Sequence, residues 1–139
     1  MTDYFAFEAL LLARLSTIPG LLVKSVTDVD DKTILNAVQP TAVVVFQGDD
    51  RKDANDEAIL IESRWTVSLF VRSGVKERGA VAGQLLAKML GALHGWCPGD
   101  GFDTLQWQGT VPDSHGNGSL QEYAMVFSVD ATVYTNARS

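Results

Sequence analysis

One segment constrains this chain more than any other. Between positions 59 and 73, Ile59, Ile61, Trp65, Val67, Leu69 and Val71 alternate with Glu62, Arg64, Thr66, Ser68 and Arg72. Successive side chains of a strand point to opposite faces, so this spelling describes a long β-strand with one apolar face and one polar face. Only Ser63 and Phe70 break the alternation. An average strand runs to about five or six residues. A strand this long needs partners beside it and an apolar layer over one face.

The rest of the chain supplies both. Residues 3–18 read as a helix, with Phe5, Ala9, Leu12 and Leu15 or Ser16 at helical spacing and Leu11 and Ile18 widening the stripe. Thr2 or Asp3 is placed to cap its start, and Pro19-Gly20 ends it. LLVKSV (21–26) reads as a short strand. DVDDKTILNAVQP follows as a loop, with one helical turn expected around Lys32 to Ala37. TAVVVFQG (41–48) is β-branched and apolar on both sides, as a doubly covered strand would be. DDRKDANDEA (49–58) has no periodicity and reads as a charged loop.

After Gly74 the spacing predicts a second helix over 76–95, with Val81, Leu85, Leu86, Met89, Leu90 and Leu93 toward the core. Gly79, Gly83 and Gly91 each weaken a helix by roughly 1 kcal/mol relative to alanine, which suits close packing on the sheet. Two closing strands are expected at 102–111 and 121–135, around a polar loop PDSHGNGS. In the last strand Tyr123, Met125, Phe127, Val129 and Val133 share one face. The expected fold is α+β: a mainly antiparallel sheet of about five strands, with two helices packed on one face. The length suits one domain spanning residues 1–139.

Candidates for chemistry are few. His94 and Cys97 lie three apart at a helix end, but a lone cysteine between Trp96 and Pro98 reads as a packed apolar residue. His115, in a glycine-bearing polar turn, reads as a solvated loop residue. A zinc site of about four nitrogen or sulfur ligands would need more than the two histidines and one cysteine present. The acidic runs Asp28, Asp30, Asp31 and Asp49, Asp50, Asp53, Asp56, Glu57 lack the glycine and the final glutamate of an EF-hand loop. GVKERGAVAG lacks the ending of a phosphate loop. No catalytic residue, cofactor or metal is therefore expected.

The charge balance argues against a general nucleic-acid binder, with 17 acidic and 11 basic residues and a net charge of −6. No apolar run reaches the ~20 residues of a membrane helix, and the start lacks the basic region of a secretory signal. The expectation is a soluble cytoplasmic protein with no membrane partner. The mixed charges of Asp49, Asp50, Arg51, Lys52 and Asp53 suit contacts between subunits better than attraction to a polyanion.

Taken in order, FEALLLARLSTIPGLLVKSV, PTAVVVFQGD, the charged loop, RWTVSLFVRS, a helix and two closing strands resemble the tail terminator (minor tail protein U-like) family of long-tailed bacteriophages. The resemblance covers nearly the whole chain. ARLSTIPGL and the W-x-V-x-L-x-V strand from Trp65 to Val71 are its most recognisable parts. It implies a structural protein of the virion tail, at the head–tail joint, assembled in the host cytoplasm. Its expected partners are further copies of itself in a ring, usually of six, the tail tube protein, and a head-completion or neck protein. DNA would pass through the lumen without specific binding, a passage that an acidic protein suits. Two alternatives stay open. One is a head–tail connector or another minor tail protein. The other is a small ligand-binding domain or enzyme with Trp65, Trp96 and Trp107 lining a pocket.

Overall fold

The protein is described from a computed structural model over residues 3–30, 39–72, 78–99, 101–115 and 119–135. The helical turn expected around Lys32 to Ala37, the turn at Gly74, and Thr2 and Asp31 lie outside these residues.

Helix α1 spans Ala6–Leu15, and strand β1 spans Leu22–Ser25. β2 runs over Thr41–Ala54 and β3 over Ala58–Arg72; helix α2 spans Arg78–Leu93. The hairpin of β4 (Gln106–His115) and β5 (Leu120–Tyr134) closes the order. The five strands form one sheet in the order β1-β2-β3-β5-β4. β1 pairs with β2 in parallel, and every other pairing is antiparallel. This is the expected α+β architecture, with both helices against one face.

The alternation in β3 fixes which face. Ile61, Trp65, Val67, Leu69 and Val71 are buried in a single core with Met125, Phe127 and Val129 of β5. α1 contributes Phe7, Leu11 and Leu15, and α2 contributes Ala82, Leu85, Met89 and Leu93. Each large side chain so buried contributes about 1.5–3 kcal/mol. Truncating fully buried Leu11 to alanine would cost about 2–5 kcal/mol.

The phase of α1 differs from the expected stripe. The helix begins at Ala6, so the buried row is Phe7, Leu11 and Leu15, four apart, while Ala9 faces outward. Phe5 precedes the helix and is 52% exposed; its ring instead meets Tyr4 at 5.2 Å and Phe46 at 5.5 Å between centroids. Asp3 acts locally, its Oδ1 accepting from the Phe5 N–H at 2.9 Å. Pro19-Gly20 ends the helical segment as expected, with Gly20 at φ 79.

In α2 the core positions Leu85, Met89 and Leu93 hold. Leu86 and Leu90 are half-buried, and Val81 is exposed. Gly83 and Gly91 face solvent, and a Cβ added at either would meet nothing within 4 Å. Close packing of these glycines on the sheet is therefore not what the structure has, because the helix turns their side to water.

Two expected loops prove to be strand. β2 continues through the charged residues to Ala54 and turns in only three residues. Asn55 builds that turn: its Oδ1 accepts from the Glu57 and Ala58 amides at 2.8 and 2.9 Å, while its own N–H donates to the Ala58 carbonyl at 2.9 Å. β1 pairs only with Thr41–Val44, so the outer part of β2 is an edge strand among the described residues. Two bulges interrupt it, between Phe46 and Gly48 and between Arg51 and Asp53. An edge strand with bulges tolerates charges and solvent, which is why it reads as a loop. β4 likewise begins later than expected, at Gln106, and continues through Pro112 to His115. Proline is compatible with an edge strand because only one side of the backbone needs its hydrogen bonds.

Candidate functional site

The sheet face away from the helices is the surface that the core leaves available, and it divides into a polar half and an apolar half. Its side chains come from Glu62, Arg64, Thr66, Ser68 and Phe70 of β3 and from Leu120, Glu122, Ser128 and Asp130 of β5, because the intervening residues are in the core.

The polar half is laced by ion pairs. Arg64 bonds Asp50 across the hairpin, and Lys52 Nζ lies 2.9 Å from Asp130 Oδ2. Beside this second pair is an open groove of about 300 Å³, lined by Lys52, Glu62, Asp103, Gln106, Ser128 and Asp130. The hydrogen bond to Asp130, and then its charge, hold the Lys52 ammonium above its ordinary value; desolvation opposes them, and Glu62 and Asp103 add smaller upward effects. Gln108 extends the polar network by donating to the Ser128 hydroxyl at 2.8 Å.

At the other end Val43, Phe70 and Leu120 form a second buried cluster, with Val29 and Val45 packed against it. This explains Phe70, which breaks the alternation of β3 because its own side of the sheet is locally apolar. Ser63, the other break, sits on the core side. Its Oγ accepts from the Trp65 indole N–H at 2.9 Å and so satisfies a donor that burial would otherwise orphan.

The five charged candidates of the hairpin are divided between the two faces. Asp50 and Lys52 stand on the helix-free face in the ion pairs described. Asp49 is opposite Ser63 and Arg51 opposite Ile61, both on the helix side. Asp49 is half-buried, and its Oδ2 has no hydrogen-bond partner among the described residues. Arg51 is exposed. Asp53, also exposed, turns its Oδ1 to the Ala54 amide at 2.8 Å. Arg64, Glu62, Asp103 and Asp130 belong to the same surface and were not among the sequence candidates. The polar positions of the long strands point to Arg64, Glu62 and Asp130, whereas Asp103 arrives from the loop after α2.

The remaining candidates separate. Cys97 is exposed rather than packed, with its Sγ 3.4 Å from the Phe102 carbonyl oxygen. His94 is also exposed and accepts at Nδ1 from the Trp107 N–H at 3.1 Å. His115 is no loop residue: it ends β4 half-buried, with Nε2 2.6 Å from Glu122 Oε1. The three tryptophans differ in setting. Trp65 is in the core, Trp96 is half-buried beneath the Arg14 guanidinium at 5.3 Å, and Trp107 is 40% exposed on β4. Among the described residues no helix is long and apolar enough to cross a membrane.

Comparisons with known proteins address the whole chain. The sequence model of the family described as phage tail terminator protein matches residues 1–137. No curated protein sequence matches. Among solved structures, a chain of the virion of a native gene transfer agent particle is similar in fold. Its TM-score is 0.57 at 16% identity, over 90% of this chain and 86% of that one.

Proposed function

Because this chain belongs to the phage tail terminator protein family, it is a structural protein of a virion tail, and we propose that it closes the tail tube as a ring. In this reading several copies, six in the usual arrangement, assemble on the end of a completed tube. They stop its polymerisation and present a surface to a head-completion or neck protein. The single observation that carries the reading is the family match over nearly the full length.

The geometry agrees with it. The helices cover one face of the sheet and leave one half of the other polar and ion-paired, so the fold has a finished core and a separate surface for neighbours. The outer part of the β2–β3 hairpin carries Asp50 and Lys52 on that face and Asp49 and Arg51 on the opposite one, with Asp53 next to the turn, and these five residues make the subunit or tube contacts. Arg51 and Asp53 present their charges directly. Asp50 and Lys52 exchange pairs within the chain for pairs between chains, which gives specificity more than affinity. DNA passes the finished ring without specific binding, as the net charge of −6 favours. The protein acts here by position and needs no chemistry of its own.

The test is to add the purified chain to tail tube subunits as they polymerise and to image the tubes by electron microscopy. Terminated tubes with extra density at one end are expected. Tubes that grow with unchanged lengths and bare ends would reject the reading.

A further inference from the structure

The far end of the β4–β5 hairpin holds a group that the assembly reading does not use. Asp113 and His115 lie two apart on β4 and so share one face, and Glu122 of β5 stands directly opposite Asp113. One ligand atom from each lies within 4.8 Å of the others. The closest approach is His115 Nε2 to Glu122 Oε1, at 2.6 Å. Asp113 is exposed, while His115 and Glu122 are half-buried.

We propose that Asp113, His115 and Glu122 form a binding site for a divalent transition-metal ion of the zinc class. Three features lead to it. Two carboxylates facing one another across an antiparallel pair repel, and a cation between them turns that repulsion into attraction. Ligands about 2.1 Å from an ion stand roughly 3–3.5 Å apart, so the widest separation closes by about 1–2 Å while the His115–Glu122 contact opens by somewhat less than about 1 Å, within the reach of side-chain rotations. One imidazole beside two carboxylates also selects among ions. Zinc, nickel and manganese accept that donor set, whereas magnesium and calcium favour oxygen ligands throughout.

The setting supports binding. The Phe70 ring lies 5.8 Å from the imidazole, and buried Leu120 is cross-strand to His115, so an apolar wall backs the histidine. Strand pairing fixes the backbone of all three residues before any ion arrives. On the neighbouring cross-strand pair the Ser114 hydroxyl donates to Gln121 Oε1 at 3.2 Å and braces the hairpin. Three protein ligands leave at least one position for water or for a group from a neighbouring molecule.

The experiment is calorimetric titration of Zn2+ alone into chelator-treated full-length protein carrying Cys97→Ser, which removes the exposed thiol as a competitor. One ion per chain is expected. His115→Ala and Glu122→Gln should each weaken binding at least about ten-fold. Zinc should raise the melting temperature of the Cys97→Ser chain but not of its His115→Ala version, and a large excess of Mg2+ should not displace it. Absence of saturable one-to-one binding would overturn the site, as would undiminished affinity in both variants. Displacement by equimolar Mg2+ would also overturn it, by making the site a hard-cation one. None of these outcomes depends on whether the chain caps a tail tube.

Discussion

The indole of Trp65 and the hydroxyl of Ser63 are joined by a hydrogen bond within a single strand, 2.9 Å long and inside the core. A serine at an otherwise apolar position is thus the condition for placing a tryptophan there. Ser63→Ala leaves the indole N–H buried and unpaired, at a cost of about 1–3 kcal/mol. Urea unfolding should show a lower midpoint with an unchanged slope. An unchanged midpoint would mean that water replaces the hydroxyl without loss.

The glycines of α2 and the glycine of the β2 bulge should respond in opposite ways. Gly83 and Gly91 have open space where a Cβ would go, so each change to alanine should stabilise the isolated chain by about 0.5–1 kcal/mol. Gly48 has φ +103, and alanine there should cost about 1–2 kcal/mol through backbone strain, although the nearest atom, Arg64 Nη2, leaves room at 3.6 Å. Thermal unfolding of the three variants checks both signs.

The Lys52–Asp130 pair gives a dependence on pH whose sign follows from the raised lysine. A group held above its ordinary value of 10.5 adds stability fully below that value, and loses it as pH climbs through the higher folded value. The difference in urea midpoint between the natural chain and Lys52→Met should therefore be constant near neutrality and shrink at strongly alkaline pH. Salt of about 1 M should also reduce it, because both side chains are accessible. A difference that persists undiminished through the alkaline range would assign it to packing of the lysine stem instead.

Reversing Asp50 and Asp53 to lysine tests the hairpin as a contact surface. Half-buried Asp49 is left in place so that the core is not disturbed. The pair of exposed changes should alter stability by no more than about 1 kcal/mol. Ring formation, followed by sedimentation, or capping of tubes should fail. Normal assembly by a folded variant would remove these two acids from the interface.

What the sequence announced, and what it hid, divides by position in the sheet. β3 and β5 are paired on both sides, bury one face along most of their length, and write that burial as an alternation broken at few positions; both were legible. The outer parts of β2 and β4 lie at edges. Their exposed residues, Arg51 and Asp53 on one and Pro112 and Asp113 on the other, carry no burial signal and read as loops. The phase of α1 was missed for a related reason, since Phe5 looks like a core residue but spends its ring on Tyr4 and Phe46. The surface pairs Arg64–Asp50 and Lys52–Asp130 depend on register, and composition cannot supply register. The Asp113–His115–Glu122 group was hidden for the same reason, because its members come together only when β4 and β5 align.

The strand order has one more consequence, for synthesis. The final strand, β5, is not at the margin: it lies between β3 and β4, and pairs with β3 from Ala58↔Tyr134 to Arg72↔Leu120. A nascent chain therefore cannot finish its sheet until residue 134 has left the ribosome. Until then β3 has one bare side, and β4 has nothing to join. A chain interrupted before Leu120 does not merely lose a margin; its sheet is cut in two. A copy that stops before Leu120 lacks the strand that joins β4 to the rest of the sheet.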